Sequence, residues 1–114
     1  MRLSTIRNVY GSSALYSDRY STINISTDET VQILGSYIFK LDVSAACTLE
    51  KNNMTWSDSI GGMQYSILLI DISPTGSVIA GEGVTLVDAL EVGANMCVAR
   101  CINNGTLSIF RIPE

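Results

Sequence analysis

The chain has 114 residues, of which 46% are hydrophobic and 16% are charged, and its formal net charge is −4 at pH 7. This composition is too apolar and too weakly charged for a disordered chain, and the length suits one domain around one core. Residues 1–19 contain three arginines and one aspartate, so they carry +2 and the rest of the chain carries −6. An acidic body repels phosphates, so no nucleic-acid partner is expected.

The first segment, residues 1–19, is expected to be an extended N-terminal arm. It is basic, it contains a Gly-Ser-Ser break at residues 11–13, and it has no continuous apolar core of the kind found in signal peptides. A basic arm on an acidic body favours docking on an acidic partner or on a second copy, although a frayed terminus fits the same residues. The domain proper is then expected to span residues 20–114.

From residue 20 onward, turn residues interrupt the sequence about every ten positions, which is typical of short β-strands. Strands are predicted over residues 20–25, 30–34 and 36–43. In the third, alternation places Tyr37, Phe39, Leu41 and Val43 on one face. Two further segments, 47–51 and 54–57, flank Asn52-Asn53 and predict a hairpin.

The second half of the chain continues this pattern. Residues 63–72 form the longest predicted strand, expected to be central and covered on both faces because residues 67–70 are all apolar. Ser73-Pro-Thr-Gly76 predicts a turn. Residues 84–90 favour a strand, although Thr85 and Asp88 also resemble a helix capping box. No internal repeat is evident, and the whole predicts an all-β fold: an antiparallel, jelly-roll-like β-sandwich with an N-terminal arm.

Residue types that perform chemistry are scarce in this chain. It contains no histidine, and the spacing of Cys97 and Cys101 does not suit a structural zinc site. Along one strand these two cysteines would lie about 13 Å apart, too far for a disulfide. We therefore expect buried free thiols, a protein that is not an enzyme, and no catalytic residue, cofactor or metal. No apolar run approaches the ~20 residues that span a bilayer, so no membrane partner is expected.

The last two predicted strands, 95–102 and 106–112, are apolar on both faces. Cys97, Ala99 and Cys101 alternate with Met96 and Val98, and in the final strand Leu107 and Ile109 alternate with Phe110 and Ile112. One face can fill the core. The other must meet the arm, another copy or a host surface, because burying it would return several kcal/mol at about 25 cal/mol per Å².

Aromatic and arginine side chains are concentrated in and just after the arm, and both types are enriched at protein interfaces. Together with the outer side of the last strand they give the predicted partner-binding residues: Arg2, Arg7, Tyr10, Tyr16, Arg19, Tyr20, Phe110 and Ile112. Trp56 allows two interpretations. A position in the core is favoured over an exposed platform for a sugar ring.

Several segments resemble small β-sandwich proteins of tailed-bacteriophage virions, of the head decoration (cement) type. The matching residues are Leu90-Glu-Val-Gly93, residues 95–102, Asn103-Asn-Gly105 and the final strand ending Arg111-Ile-Pro113. The resemblance implies a structural protein on the capsid surface, made in the host cytoplasm, that binds the outside of the head and bridges major capsid subunits. It also implies binding to the major capsid protein or another virion protein, and assembly into dimers or trimers.

Two other functions remain open from the sequence. A tail-fibre or tailspike module would bind host glycan, through Trp56 and loop amides, or would assemble the tail. A small inhibitor acting inside the cell fits the acidity and the size, but no particular residue favours it.

Overall fold

The computed structural model describes residues 20–56, 63–102 and 105–113, so the predicted arm lies outside the described residues. These residues form nine strands and one short helix, which confirms the all-β class. The elements are β1 (Tyr20–Ile25), β2 (Glu29–Ile33), β3 (Ile38–Val43), β4 (Ala46–Lys51), α1 (Asn53–Trp56), β5 (Met63–Ile72), β6 (Ser77–Ala80), β7 (Val84–Leu86), β8 (Gly93–Ile102) and β9 (Leu107–Arg111).

The strands are distributed over two sheets. One has six strands in the order β1-β3-β5-β8-β9-β7, and the other has three in the order β2-β4-β6. Consecutive strands from β1 to β6 therefore alternate between the sheets. Because side chains in a strand alternate in direction, each strand can send every second residue inward, and buried residues of both sheets join one hydrophobic core.

The pairing register repeats along the first part of the chain. Tyr20 pairs with Ile38 and Glu29 pairs with Cys47, so eighteen positions separate the partners in both sheets. The next partner of Ile38 is Ile67, twenty-nine positions further on, because α1 and the residues that follow it lengthen this passage. We call each passage from one sheet to the other and back a coil.

The antiparallel arrangement predicted from the sequence is wrong for most of the fold. Of the seven strand pairs within the described residues, five are parallel, and only β5–β8 and β8–β9 are antiparallel. The reason is the alternation between sheets. A strand that leaves one sheet returns to it a coil later, running in its original direction.

The hairpin predicted around Asn52-Asn53 is also wrong, because Asn52 follows the end of β4 and caps α1. Its side-chain Oδ1 accepts hydrogen bonds from the backbone N–H groups of Met54 at 2.9 Å and Thr55 at 3.2 Å. The helix then places Trp56 in the core, where it is fully buried and its indole N–H donates to the carbonyl oxygen of Ile33 at 3.0 Å. The core position expected for Trp56 is confirmed.

Two longer predictions hold in their main features. In β3 the side chains of Phe39, Leu41 and Val43 are buried as expected. The long strand over residues 63–72 is present as β5 and lies centrally between β3 and β8. Its expected cover on both faces is not found within the described residues, since Ile67 remains 38% exposed.

The turn predicted after β5 is confirmed. The N–H of Gly76 donates to the carbonyl oxygen of Ser73 at 2.9 Å, with Pro74 at the second position. Glycine is required here because a Cβ atom on residue 76 would lie 2.3 Å from the carbonyl oxygen of Val43. The tight contact brings the start of β6 against the end of β3.

The region predicted as a strand over residues 84–90 is a strand only as far as Leu86. The loop that follows it is tied down by Asn95, which is buried. The amide Nδ2 of Asn95 donates to the carbonyl oxygens of Glu91 at 2.8 Å, Ile70 at 3.1 Å and Gly93 at 3.1 Å, and its Oδ1 accepts from the N–H of Glu91 at 3.0 Å. Asn95 therefore joins the loop to the central strand β5.

All three cysteines, Cys47, Cys97 and Cys101, are free and buried, as expected. Burial raises the pKa of the Cys97 thiol from its ordinary value of 9.0 to about 11. The nearby positive charge of Arg111 opposes this shift, and the negative charge of Asp88 adds to it. The Cys97 thiol therefore stays protonated at neutral pH and packs as a small apolar group.

Candidate interaction surface

The side of the six-stranded sheet that faces away from the core carries apolar side chains in register across four strands. Strand pairing places Ile38 beside Ile67, Ile67 beside Val98, and Val98 beside Phe110. A second apolar row lies next to the first: Leu69 pairs with Met96, and the N–H of Ile112 donates to the carbonyl oxygen of Met96 at 2.8 Å. These rows cross the middle of the sheet.

Several of these side chains are exposed. Tyr65 is 45% exposed, Met96 47% and Ile112 41%, and Ile38 and Ile67 are exposed to a similar degree. An exposed apolar group is common on its own, but a contiguous patch marks a surface that another molecule covers. We name this patch the outer apolar face and define it by Ile38, Tyr65, Ile67, Leu69, Met96, Val98, Phe110 and Ile112.

Apart from Lys40, which pairs in register with Leu69, the charged side chains lie at the two ends of the outer apolar face. At one end Asp42 pairs in register with Asp71, and at the other Tyr65 pairs with Arg100. Within the described residues the ion pairs are Lys40–Asp42, with 3.7 Å between Nζ and Oδ1, and Arg111–Glu91. Neither Asp71 nor Arg100 takes part in them.

Arg100 packs on Phe110 of the adjacent strand β9. Its Cζ atom lies 5.3 Å from the centroid of the Phe110 ring, a cation–π arrangement, and its Nε is buried with no hydrogen-bond partner in the described structure. The guanidinium therefore packs over the Phe110 ring beside the apolar rows and places a positive charge at this end of the outer apolar face.

A hollow of about 550 Å³ opens on the same face toward the acidic end. Its lining combines apolar side chains with one lysine and one carboxylate: Lys40, Leu69, Ile70, Asp71, Ala94, Asn95, Met96, Ile112 and Pro113. The size is in the range of sites that accept a large side chain or a small ligand. The face therefore combines a partly exposed tyrosine, apolar rows and a hollow.

The predicted partner-binding residues are distributed unevenly over this geometry. Phe110 and Ile112 lie on the outer apolar face, as their alternation predicted. Tyr20 begins β1, and its side chain lies outside the described part of the structure, as do the arm residues Arg2, Arg7, Tyr10, Tyr16 and Arg19. Their binding role remains a prediction.

Four residues of the outer apolar face were not predicted to bind a partner: Ile38, Tyr65, Ile67 and Leu69. The apolar run over residues 67–70 already indicated this surface. A strand that is apolar on both faces can pack one face in the core and leave the other for a partner. The run was interpreted as a strand covered twice by its own chain. The structure instead leaves Ile67 on an exposed face.

The described residues offer few groups for catalysis or metal binding. No group of three or more histidine, cysteine, aspartate or glutamate side chains lies close enough to hold a metal ion in this part of the chain. Asp42 and Asp71 are strand neighbours, and no third such side chain joins them among the described residues. No helix in the same residues is long and apolar enough to cross a membrane.

Comparisons with protein families, with curated proteins and with solved structures give no match to this chain. The resemblance to phage virion proteins therefore remains an expectation from the sequence.

Proposed function

We propose that this protein is a structural, adhesive protein that works by burying the outer apolar face against another protein. The observation that supports this proposal is the contiguous patch across β3, β5, β8 and β9, in which Tyr65, Met96 and Ile112 are each more than two-fifths exposed. Four strands about 4.8 Å apart, with four rows of outward side chains, span roughly 20 × 20 Å. That is about half of the ~800 Å² that each partner buries in a standard interface.

The fold suits such a role because the adhesive side chains stand on a rigid support. We propose that the two sheets face each other as the layers of a sandwich, since one core takes side chains from both. Tyr65 and Ile67 alternate with the buried Ser66 and Leu68 on the central strand β5. The outer apolar face then needs little ordering when a partner binds, which lowers the entropic cost of association.

The particular setting that we propose is the outside of a phage head, where the protein would act as a decoration protein bridging major capsid subunits. The sequence resemblance supports this setting, and the basic arm adds a second contact for an acidic neighbour. The alternative is a tail-fibre or tailspike module. The glycan-binding version of this alternative relied on Trp56 to stack against a sugar ring. Trp56 is buried and presents no such platform.

The test is co-sedimentation of the full-length protein with empty heads assembled from the major capsid protein of the same virus. We expect high-copy binding that is lost on deletion of residues 1–19 and weakened at least about tenfold by Met96→Asp, which places a charge on the outer apolar face. Glu82→Lys, at an exposed turn away from that face, is the matched charge-changing control. Binding to tails alone would favour the alternative, and binding unaffected by both changes would contradict the proposal.

A further inference from the structure

We infer that the outer apolar face is occupied by a second copy of this chain, joined through a two-fold axis that brings the basic end of one copy onto the acidic end of the other. This inference rests on the proposed adhesive function and names the molecule that covers the face. It is argued from the distribution of charge and shape over the described residues of the face. In such a dimer a head would be held through the arm, and Met96→Asp would weaken head binding by separating the two copies.

The four rows of the face have a definite order along the strands. The first contains Tyr65 and Arg100; the second contains Ile38, Ile67, Val98 and Phe110; the third contains Lys40, Leu69, Met96 and Ile112; the fourth contains Asp42, Asp71 and Ala94. The apolar rows are thus flanked by Arg100 on one side and Asp71 on the other. Six residues separate the end rows on β5, or roughly 20 Å.

Two copies that bury the same face are related by a two-fold axis lying in the interface, and such an interface is self-complementary. If the axis runs across the strands, each strand crosses its own counterpart in reverse, so the first row opposes the fourth and the second opposes the third. Ile67 then opposes Leu69, Val98 opposes Met96, and these apolar side chains bury each other. At the β3 edge Ile38 opposes Lys40, whose ammonium group lies next to Asp42. Arg100 comes to lie over Ala94, directly beside Asp71 of the second copy.

The other possible axis, along the strands, is disfavoured by charge. It would leave every row opposite itself, so the two Asp71 carboxylates would approach each other and the two Arg100 guanidinium groups would do the same. Like charges brought together at an interface oppose association. The end-to-end segregation of Asp71 and Arg100 therefore selects the axis that runs across the strands.

The shape of the face agrees with this choice. The hollow is lined by Leu69, Ala94, Met96 and Asp71, among others, and these belong to the third and fourth rows on β5 and β8. Across the proposed axis it faces the first and second rows of the same strands, where Tyr65 stands 45% exposed. Each copy would insert its Tyr65 ring into the hollow of the other, the aromatic-in-pocket arrangement that dominates binding energy at interfaces.

The test uses the full-length chain and measures its mass and self-association by analytical ultracentrifugation. We expect a concentration-dependent dimer. The reversals Asp71→Arg and Arg100→Asp should each weaken it by at least about tenfold, because each places like charges opposite one another. An equimolar mixture of the two variants should dimerise again, since one copy then carries two positive end groups and the other two negative ones. Glu82→Arg, at an exposed turn, should leave the dimer unchanged.

Circular dichroism of each variant checks that it is folded. Arg100→Asp could fail to fold because Arg100 packs on Phe110. In that case the exposed positions Asp71 and Tyr65 are tested instead, and Asp71→Arg and Tyr65→Ala should each weaken the dimer by about tenfold or more. A wild-type chain that stays monomeric at every concentration reached would overturn the inference, as would a dimer insensitive to Asp71→Arg and Tyr65→Ala.

The head-binding experiment separates this inference from the proposed function. A monomeric chain that still co-sediments with heads through the outer apolar face overturns the two-fold dimer and leaves the adhesive function standing. A dimer that responds to the charge reversals but ignores heads overturns the proposed decoration role and leaves the dimer standing.

Discussion

Replacing Asn95 with aspartate should make the stability of the protein strongly dependent on pH. Asn95 is 2% exposed, and its amide donates to three carbonyl oxygens on Ile70, Glu91 and Gly93 while accepting one N–H. An aspartate would turn a carboxylate oxygen toward those three carbonyls. Burial and the surrounding oxygen atoms both disfavour the ionised form, so the pKa of an aspartate at this position should lie above the ordinary ~3.9.

The hydrogen bonds of Asn95 set the size of the expected loss in the free energy of unfolding. Asn95→Ala removes four contacts at about 1 kcal/mol each, so the free energy of unfolding should fall by about 2–4 kcal/mol at any pH. Asn95→Asp should cost no more than this at pH 4, where the protonated acid can still donate one hydrogen bond. At pH 7 it should cost about 2 kcal/mol more than at pH 4, if the folded pKa is raised by about two units at 1.4 kcal/mol each, because the unfolded carboxyl is already about half ionised at pH 4.

The direction of the pH dependence follows from the linkage between proton binding and folding. A folded-state pKa raised above the unfolded value means that the folded form holds its proton more tightly, so stability is present below about pH 4 and is lost as the pH rises toward the folded pKa. The assay is urea unfolding followed by the fluorescence of Trp56, the single tryptophan of the chain, which is buried. Each variant is compared with wild type at pH 4 and pH 7.

The exposed Asn53 supplies the control, because Asn53→Asp adds the same charge without burial and should change stability by less than about 0.5 kcal/mol at either pH. Equal losses for Asn95→Asp and Asn95→Ala at both pH values would refute the reasoning. That result would mean that the carboxylate finds water or another donor, and that Asn95 does not hold the loop through its amide group.

Three further predictions concern stability. Gly76→Ala should lower the free energy of unfolding by about 1–3 kcal/mol in urea titrations, since its Cβ would lie 2.3 Å from a backbone oxygen; a loss below about 0.5 kcal/mol would contradict this. Ser36→Gly should raise it by about 0.5–1 kcal/mol, because Ser36 holds a left-handed φ of 68°; a lower stability would show that strain is absent there. Raising the pH from 8 to 10 should lower the free energy of unfolding of wild type by about 1.4 kcal/mol more than that of Cys97→Ala. The reason is that the Cys97 thiol, with a pKa of about 11, stays protonated in the folded state, whereas the unfolded thiol ionises near 9. Parallel pH profiles for the two proteins would contradict this.

The sequence predicted individual strands well, because the alternation of apolar residues is a property of one strand. The inward positions of Phe39 and Leu41 in β3, and of Cys97 and Cys101 in β8, followed directly from that period. The sequence did not predict the short helix α1, because the residues at its start are ambiguous. Asn52-Asn53 suits a turn as well as a helix start, and the choice depends on where Trp56 can be buried.

Strand direction could not be obtained from the same pattern. A period of two places side chains on faces but does not say which neighbour a strand meets, or whether that neighbour runs parallel. The signal present was the eighteen-position spacing between apolar pairs such as Ile23 with Leu41 and Ile25 with Val43. It is weak as a sequence repeat, because the paired positions share apolar character without sharing residue identity.

Only part of the outer apolar face was predicted from the sequence, for a related reason. The outward positions of Phe110 and Ile112 on the last strand were correct, but Tyr65 and Ile67 on β5 were not included. Apolar character alone does not distinguish a face covered by the same chain from one that another molecule must cover. Only the sheet order, which places β5 in the middle of an exposed face, separates the two.

The alternation of strands between the two sheets has a consequence for how the chain is made. In the first two coils no strand pairs with its immediate neighbour in sequence: β1 pairs with β3 and β2 pairs with β4. During synthesis β1 therefore leaves the ribosome well before its partner, and contacts of such long sequence separation form slowly. Until the second coil has emerged, the edges of these nascent strands are open to chaperones and to neighbouring nascent chains.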